Sequence, residues 1–177
     1  MKRVLMSLAV LGVVALSASP LAAQKAALYL GGGGVMPTGN YAQADNTGWQ
    51  LQGGLEIGIP HSPFAVRADA MYGETSHQGS IPFTNDTKLS GLSADGVYHI
   101  GGGMVPVKLY VLAGVGYHNV NLGSGASESD FSWNAGGGLR IGLGPMNLFA
   151  EARYTSIMMT GGSLNFFPIT GGLEFGL

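Results

Sequence analysis

Through the last nine residues, apolar side chains alternate with small or polar ones. Ile169, Leu173, Phe175 and Leu177 hold odd positions, while Thr170, Gly172, Glu174 and Gly176 hold even ones. A period of two marks a strand whose two faces meet different surroundings. A soluble sheet would need another layer to cover such an apolar face. A bilayer would cover it directly.

The alternation recurs upstream. Trp49, Leu51, Leu55, Ile57 and Ile59 oppose Gln50, Gln52 and Glu56, and Phe64, Val66, Ala68, Ala70 and Tyr72 oppose Arg67 and Asp69. Phe131, Trp133, Ala135, Leu139, Ile141 and Leu143 oppose Ser132, Asn134 and Arg140. Leu148, Ala150, Ala152 and Tyr154 oppose Glu151, Arg153 and Thr155. The pattern predicts eight strands, over 26–36, 48–59, 63–73, 88–100, 105–119, 129–143, 147–157 and 165–177. Each is near or above the ~9–11 residues that a tilted strand needs to cross a hydrocarbon layer. In 26–36 the run Gly31–Gly34 erases the period. In 105–119 both faces are apolar, so the facing of Lys108 stays open. The connections at 37–47, 74–87 and 120–128 read as long, and 158–164 as medium. Those at 60–62, 101–104 and 144–146 read as short.

Composition agrees. Charged residues are 10% of the chain, against about 25% in ordinary soluble proteins. Beyond the N-terminal segment, no stretch approaches the ~20 apolar residues of a spanning helix. The 31 glycines suit curved strands, where they permit bends and close backbone approach. At the start, Lys2 and Arg3 precede an apolar run from Val4 to Leu16, and Leu21-Ala22-Ala23 offers a small-residue cleavage site. Residues 1–23 are therefore expected to be a cleavable secretory signal peptide and 24–177 a single domain. With no cysteine, neither a disulfide nor a lipidated cysteine can form. No basic patch with interleaved aromatics supports nucleic-acid binding.

These features together resemble the small bacterial outer-membrane β-barrel proteins, the group of the outer-membrane protein A transmembrane domain and outer-membrane protein X. The resemblance covers the chain beyond the leader. It includes a C-terminal signature of Thr170, Gly172, Phe175 and Leu177, with Leu in place of the usual final Phe. It implies an all-β fold: a closed antiparallel up-and-down transmembrane β-barrel of eight strands, with short periplasmic turns and longer outer loops. It also implies residence in the outer-membrane lipid and recognition of the signature by the barrel-insertion machinery.

A barrel of about eight strands is just wide enough for side chains to fill its interior. Glu56, Arg67, Asp69, Asp95, Arg140, Glu151, Arg153 and Glu174 share the polar parity of their strands. On the lipid face, Arg or Lys at mid-depth would cost roughly 2–4 kcal/mol each. Inside, the opposite charges can pair and plug the lumen. Trp49, Tyr72, Tyr117, Phe131, Trp133, Tyr154 and Phe167 are expected in a girdle at the long-loop rim. Phe64 and Phe175 are expected at the other rim, and Phe149 should point inward. The final strand should pair with the first near Leu28–Val35 to close the ring.

Chemistry is sparse. His61, His77, His99 and His118 fit no metal-ligand spacing, Gly31–Gly34 and Gly136–Gly138 are not phosphate loops, and no cofactor is expected. The favoured function is a non-enzymatic structural or surface-interaction scaffold with a plugged lumen. Its four outer loops lean acidic (Asp45, Glu74, Asp86, Glu128, Asp130) and could meet an unidentified surface ligand. By resemblance, an alternative is an outer-membrane enzyme acting on lipid A or surface peptides. Its site would lie around Tyr117 and His118, with Ser124, Ser127, Glu128, Asp130 and Ser132. A small pore is a second alternative, and a soluble ligand-binding barrel is disfavoured because it would reverse the polarity of the two faces.

Overall fold

The computed structural model describes residues 25–43, 45–76, 86–101, 107–122, 127–159 and 162–177. The expected leader lies outside them. Eight strands follow in chain order: β1 Ala26–Thr38, β2 Gly48–Gly58, β3 Phe64–Thr75, β4 Thr87–Ile100, β5 Val107–Leu122, β6 Ser127–Leu143, β7 Met146–Met159 and β8 Gly162–Gly176. A short 3-10 turn at Gly39–Gln43 follows β1. Each strand pairs antiparallel with its neighbours, and β8 returns to β1 to close the barrel. Leu28 lies opposite Phe175 and Val35 opposite Pro168, so the closing register is the expected one. Closure leaves no strand edge along the ring, which a hydrocarbon layer requires because it cannot satisfy unpaired backbone groups.

The strands run further toward the outer rim than the sequence pattern indicates. β5 continues to Leu122 and β6 begins at Ser127, leaving 123–126 where a long loop is expected; 160–161 alone separate β7 from β8. Polar residues such as Asn119, Asn121 and Ser129 continue the pairing there. Above the lipid a strand needs no apolar face, so polarity stops marking its end. Glu74 and Asp130 consequently sit on strands, not in loops. Asp45 is buried, its carboxylate accepting a hydrogen bond from Thr75 Oγ1 at 2.6 Å.

The two ambiguous strands are now resolved. In β1, Tyr29 and Val35 face inward while Leu28 and Leu30 face outward. In β5, Val107, Leu109, Val111 and Val115 face outward, and Tyr110 and Leu112 are buried inside. Lys108 shares the inward parity but is exposed, at the short-turn mouth. Outside, Trp49 packs at a tilt against Tyr72 and Trp133 against Tyr154, both toward the outer rim. Phe64 pairs with Tyr98 toward the other rim, so Tyr98 joins a lower girdle where only Phe64 and Phe175 are expected.

Close packing inside depends on glycine. Phe149 points inward, as its parity predicts, and its ring covers Gly31 and Gly172; a Cβ on Gly31 would lie 2.8 Å from Phe149 Cζ and from the Gly171 carbonyl oxygen. The β7–β8 ladder skips from Ala152–Ile169 to Thr155–Phe166, because Pro168 carries no N–H to donate. In the β2–β3 turn, His61 is held at φ 59°, a left-handed conformation that non-glycine residues adopt with strain.

Candidate functional site

The barrel interior carries the chemistry. Parity alone points Glu56, Arg67, Asp69, Asp95, Arg140, Glu151, Arg153 and Glu174 into the lumen, and all eight are buried there. Glu56 on β2 is one hub. It accepts from Arg67 Nη2 at 2.8 Å, from Arg140 Nη2 at 2.6 Å, and contacts His99 Nε2 at 3.0 Å. Arg140 reaches on to Glu174 at 3.0 Å, and Glu174 accepts from Asn147 at 2.9 Å. Arg67 also donates to Glu151.

Arg153 is the second hub. It donates to Glu151 on its own strand, to Asp69 on β3 and to Asp95 on β4. Tyr110 donates to Glu151 at 2.7 Å, while the guanidiniums of Arg67 and Arg140 lie 5.1 and 4.6 Å from its ring centroid. Tyr29 brings in β1: its ring lies under Arg67 at 4.7 Å, and its hydroxyl meets Gln52 at 3.4 Å. The network thus ties all eight strands together through the centre of the barrel.

Toward the outer rim the interior turns apolar. Val35, Leu89, Val120, Ile157, Leu164 and Phe166 form a buried cluster with Tyr41. Tyr41, in the first outer connection, hydrogen-bonds Thr75 at 2.6 Å, so this connection folds down into the barrel mouth. Burial pushes the Tyr41 phenol above its ordinary pKa. The side chains of this cap share the inward parity. Sequence reasoning passes over them because an apolar residue near a strand end reads the same whether it faces lipid or lumen. Tyr29, Tyr110 and His99 are likewise missed, although Asn134 and the glutamines of β2 already fall on the polar face.

Among the described residues, the candidate catalytic set does not assemble into an accessible site. His118 Nδ1 lies 2.8 Å from Ser132 Oγ, but Ser132 has no exposed surface and His118 only 3%. The His118 ring packs edge-on against Phe166, beneath the cap. Tyr117 faces outward and donates to the Ser129 carbonyl. Asp130 lies opposite His118 in register. Ser124 lies outside the described residues, as do the side chains of Ser127 and Glu128. Among the described residues, no cluster of His, Asp or Glu has the arrangement of a metal site.

The C-terminal residues divide by face. Phe175 and Leu177 are exposed on the outside. Thr170 is buried and hydrogen-bonded to Gln50 at 2.6 Å, and Gly172 lies beneath Phe149.

A family model described as the outer membrane protein beta-barrel domain matches residues 8–175. The fold is similar to that of Neisserial surface protein A, at 16% identity and a TM-score of 0.65 over 85% of this chain and 96% of that one. It is similar to a major outer membrane protein of Thermus thermophilus, at 15% identity and a TM-score of 0.62 over 88% and 100%. The N-terminal β-barrel domain of Pseudomonas aeruginosa OprF matches at 18% identity and a TM-score of 0.54, over 88% and 98%. No curated protein sequence matches the chain significantly.

Proposed function

Since the chain belongs to the outer membrane protein beta-barrel domain family and so resides in the bacterial outer membrane, we propose that it serves there as a closed, non-enzymatic scaffold that presents its outer connections to surface ligands. The observation carrying this reading is the filled interior. Ionic contacts join opposite walls, Arg67 on β3 to Glu151 on β7 and Arg140 on β6 to Glu56 on β2. The apolar cluster sits above them. A network of this kind is rigid when every member is satisfied, and a rigid wall suits the display of connecting segments. On the exposed C-terminal face, Phe175 and Leu177 are free for the barrel-insertion machinery to read. Thr170 and Gly172 already have packing roles inside.

The test is bilayer conductance together with gel migration of boiled and unboiled refolded protein. A closed barrel shifts on heating and conducts at background; stable open channels in the unmutated protein would establish the pore instead. The enzymatic reading has a separate check. His118→Ala should leave lipid A and surface-peptide product spectra unchanged in cells, and loss of a product would make this protein an enzyme.

A further inference from the structure

Between the ionic network and the apolar cap, the interior encloses a cavity of about 10 Å³, whose lining includes Gln52, Ser93, His118, Asn134, Thr155 and Pro168. That is the space of a single water, which persists in a protein interior where polar groups surround it. The polar atom beside this cavity points to an occupant. Asn134 is 97% buried, given its 3% exposure, and its Nδ2 donates to Asp95 Oδ1 at 2.9 Å, yet its Oδ1 has no hydrogen-bond partner. Beside it, the β7–β8 ladder lacks the pairing of Arg153 and Tyr154 with Pro168 and Phe167, and Arg153 and Pro168 both line the cavity. A buried carbonyl oxygen wants a donor.

We propose that this cavity is a binding site for one ordered water molecule, which donates to Asn134 Oδ1 and links the His118–Ser132 pair to the Asp69–Asp95–Arg153 cluster. The rival occupant is a monovalent cation, since five carboxylates face three arginines in the ionic network. Asp69 and Arg153 both line the same space and are already paired with each other, so the lining carries no spare negative charge for a cation, whereas a water can both donate and accept. The site stands whether or not the lumen conducts, so conductance and occupancy fail separately.

High-resolution crystal structures of the refolded barrel, grown once in sodium chloride and once in rubidium chloride, test it. The expected result is one density peak within about 2.6–3.2 Å of Asn134 Oδ1, identical in both salts and without a rubidium anomalous signal. In nanodiscs, the Asn134 side-chain amide should show magnetisation transfer from a long-lived water. An empty cavity, a rubidium signal, or an Asn134 amide reversed so that its oxygen meets a protein donor would each overturn the assignment. Asn134→Leu should remove the peak. Should that variant fail to fold, Thr155→Val, which lines the cavity and keeps its shape, should shift the peak or weaken its occupancy, and an unchanged peak there counts against the site.

Discussion

Replacing Arg153 by methionine tests the interior network where it is most demanding. Three of the five carboxylates of the ionic network converge on this one guanidinium, with Asp95 Oδ2 at 3.0 Å and Asp69 Oδ1 at 3.2 Å. Methionine keeps much of the side-chain length and removes the charge. Glu151 would retain Arg67 and Tyr110, Asp69 would retain Gln52 and Ser93, and Asp95 only Asn134. Breaking a buried pair by removing one partner costs about 3–5 kcal/mol. The upper half of that range applies, because Asp69 and Asp95 would then face each other without a cation. At about 1.4 kcal/mol per tenfold, the folded-to-unfolded ratio should fall on the order of 1,000-fold. Urea unfolding of protein refolded into vesicles, followed by Trp49 and Trp133 fluorescence, measures this directly. The double variant Arg153→Met with Asp95→Asn should recover part of the loss, although Asp95→Asn alone is destabilising. A loss below about 1 kcal/mol, or a second substitution that simply adds its own cost, would refute the account of the network as mutually dependent.

Three smaller perturbations probe other levels of the fold. Tyr41→Phe removes the hydroxyl bonded to Thr75 and should lower stability by about 1–2 kcal/mol. Because burial raises the Tyr41 phenol above its unfolded value, its contribution is complete below about pH 10 and is lost as pH rises beyond that. The urea midpoint of the parent should therefore fall between about pH 10 and 12 more than that of the Phe variant. Gly31→Ala drives a methyl against Phe149 and the Gly171 carbonyl; an overpacking cost of about 1–3 kcal/mol is expected in the same assay, and a neutral result would mean the β1–β8 seam yields easily. His61→Gly relieves the left-handed strain in the β2–β3 turn. Offset by glycine's chain entropy, it should gain about 0.5 kcal/mol, and a loss would show that the His61 side chain contributes to the turn.

The barrel's legibility in sequence follows from its solvent. Between Trp49 and Ile59, or Phe64 and Tyr72, one face must be apolar for lipid, so the period of two survives to be read. The buried charges are legible for the same reason, since a charge on the lipid face is excluded and parity then assigns the lumen. Legibility fails where that contrast vanishes. Leu89, Val120 and Ile157 face the interior yet are as apolar as the lipid face, so no pattern separates cap from wall. At Asn119 and Ser129 both faces are wet, and the strands outrun their pattern. His118 and Ser132 are close in space, but only the pairing of β5 with β6 brings them together and only the lumen packing buries them.

Three arginine contacts that cross the lumen, Arg67 to Glu151, Arg140 to Glu56 and Arg153 to Asp69, each span 84 residues of chain, and Arg153 to Asp95 spans 58. None can form until strands from opposite halves of the sequence stand in one ring, so these cross-lumen contacts can only be late products of folding, unlike Arg67 to Glu56, which the β2–β3 hairpin already brings together. Before that, the partners on opposite walls remain hydrated and impose no register on one another. Afterwards they can separate only if the ring opens and the bare charges meet lipid. Interactions absent from the folding transition state slow unfolding rather than speed folding. The buried arginines should therefore act as a one-way latch, giving the inserted barrel a lifetime far longer than its equilibrium stability alone would set.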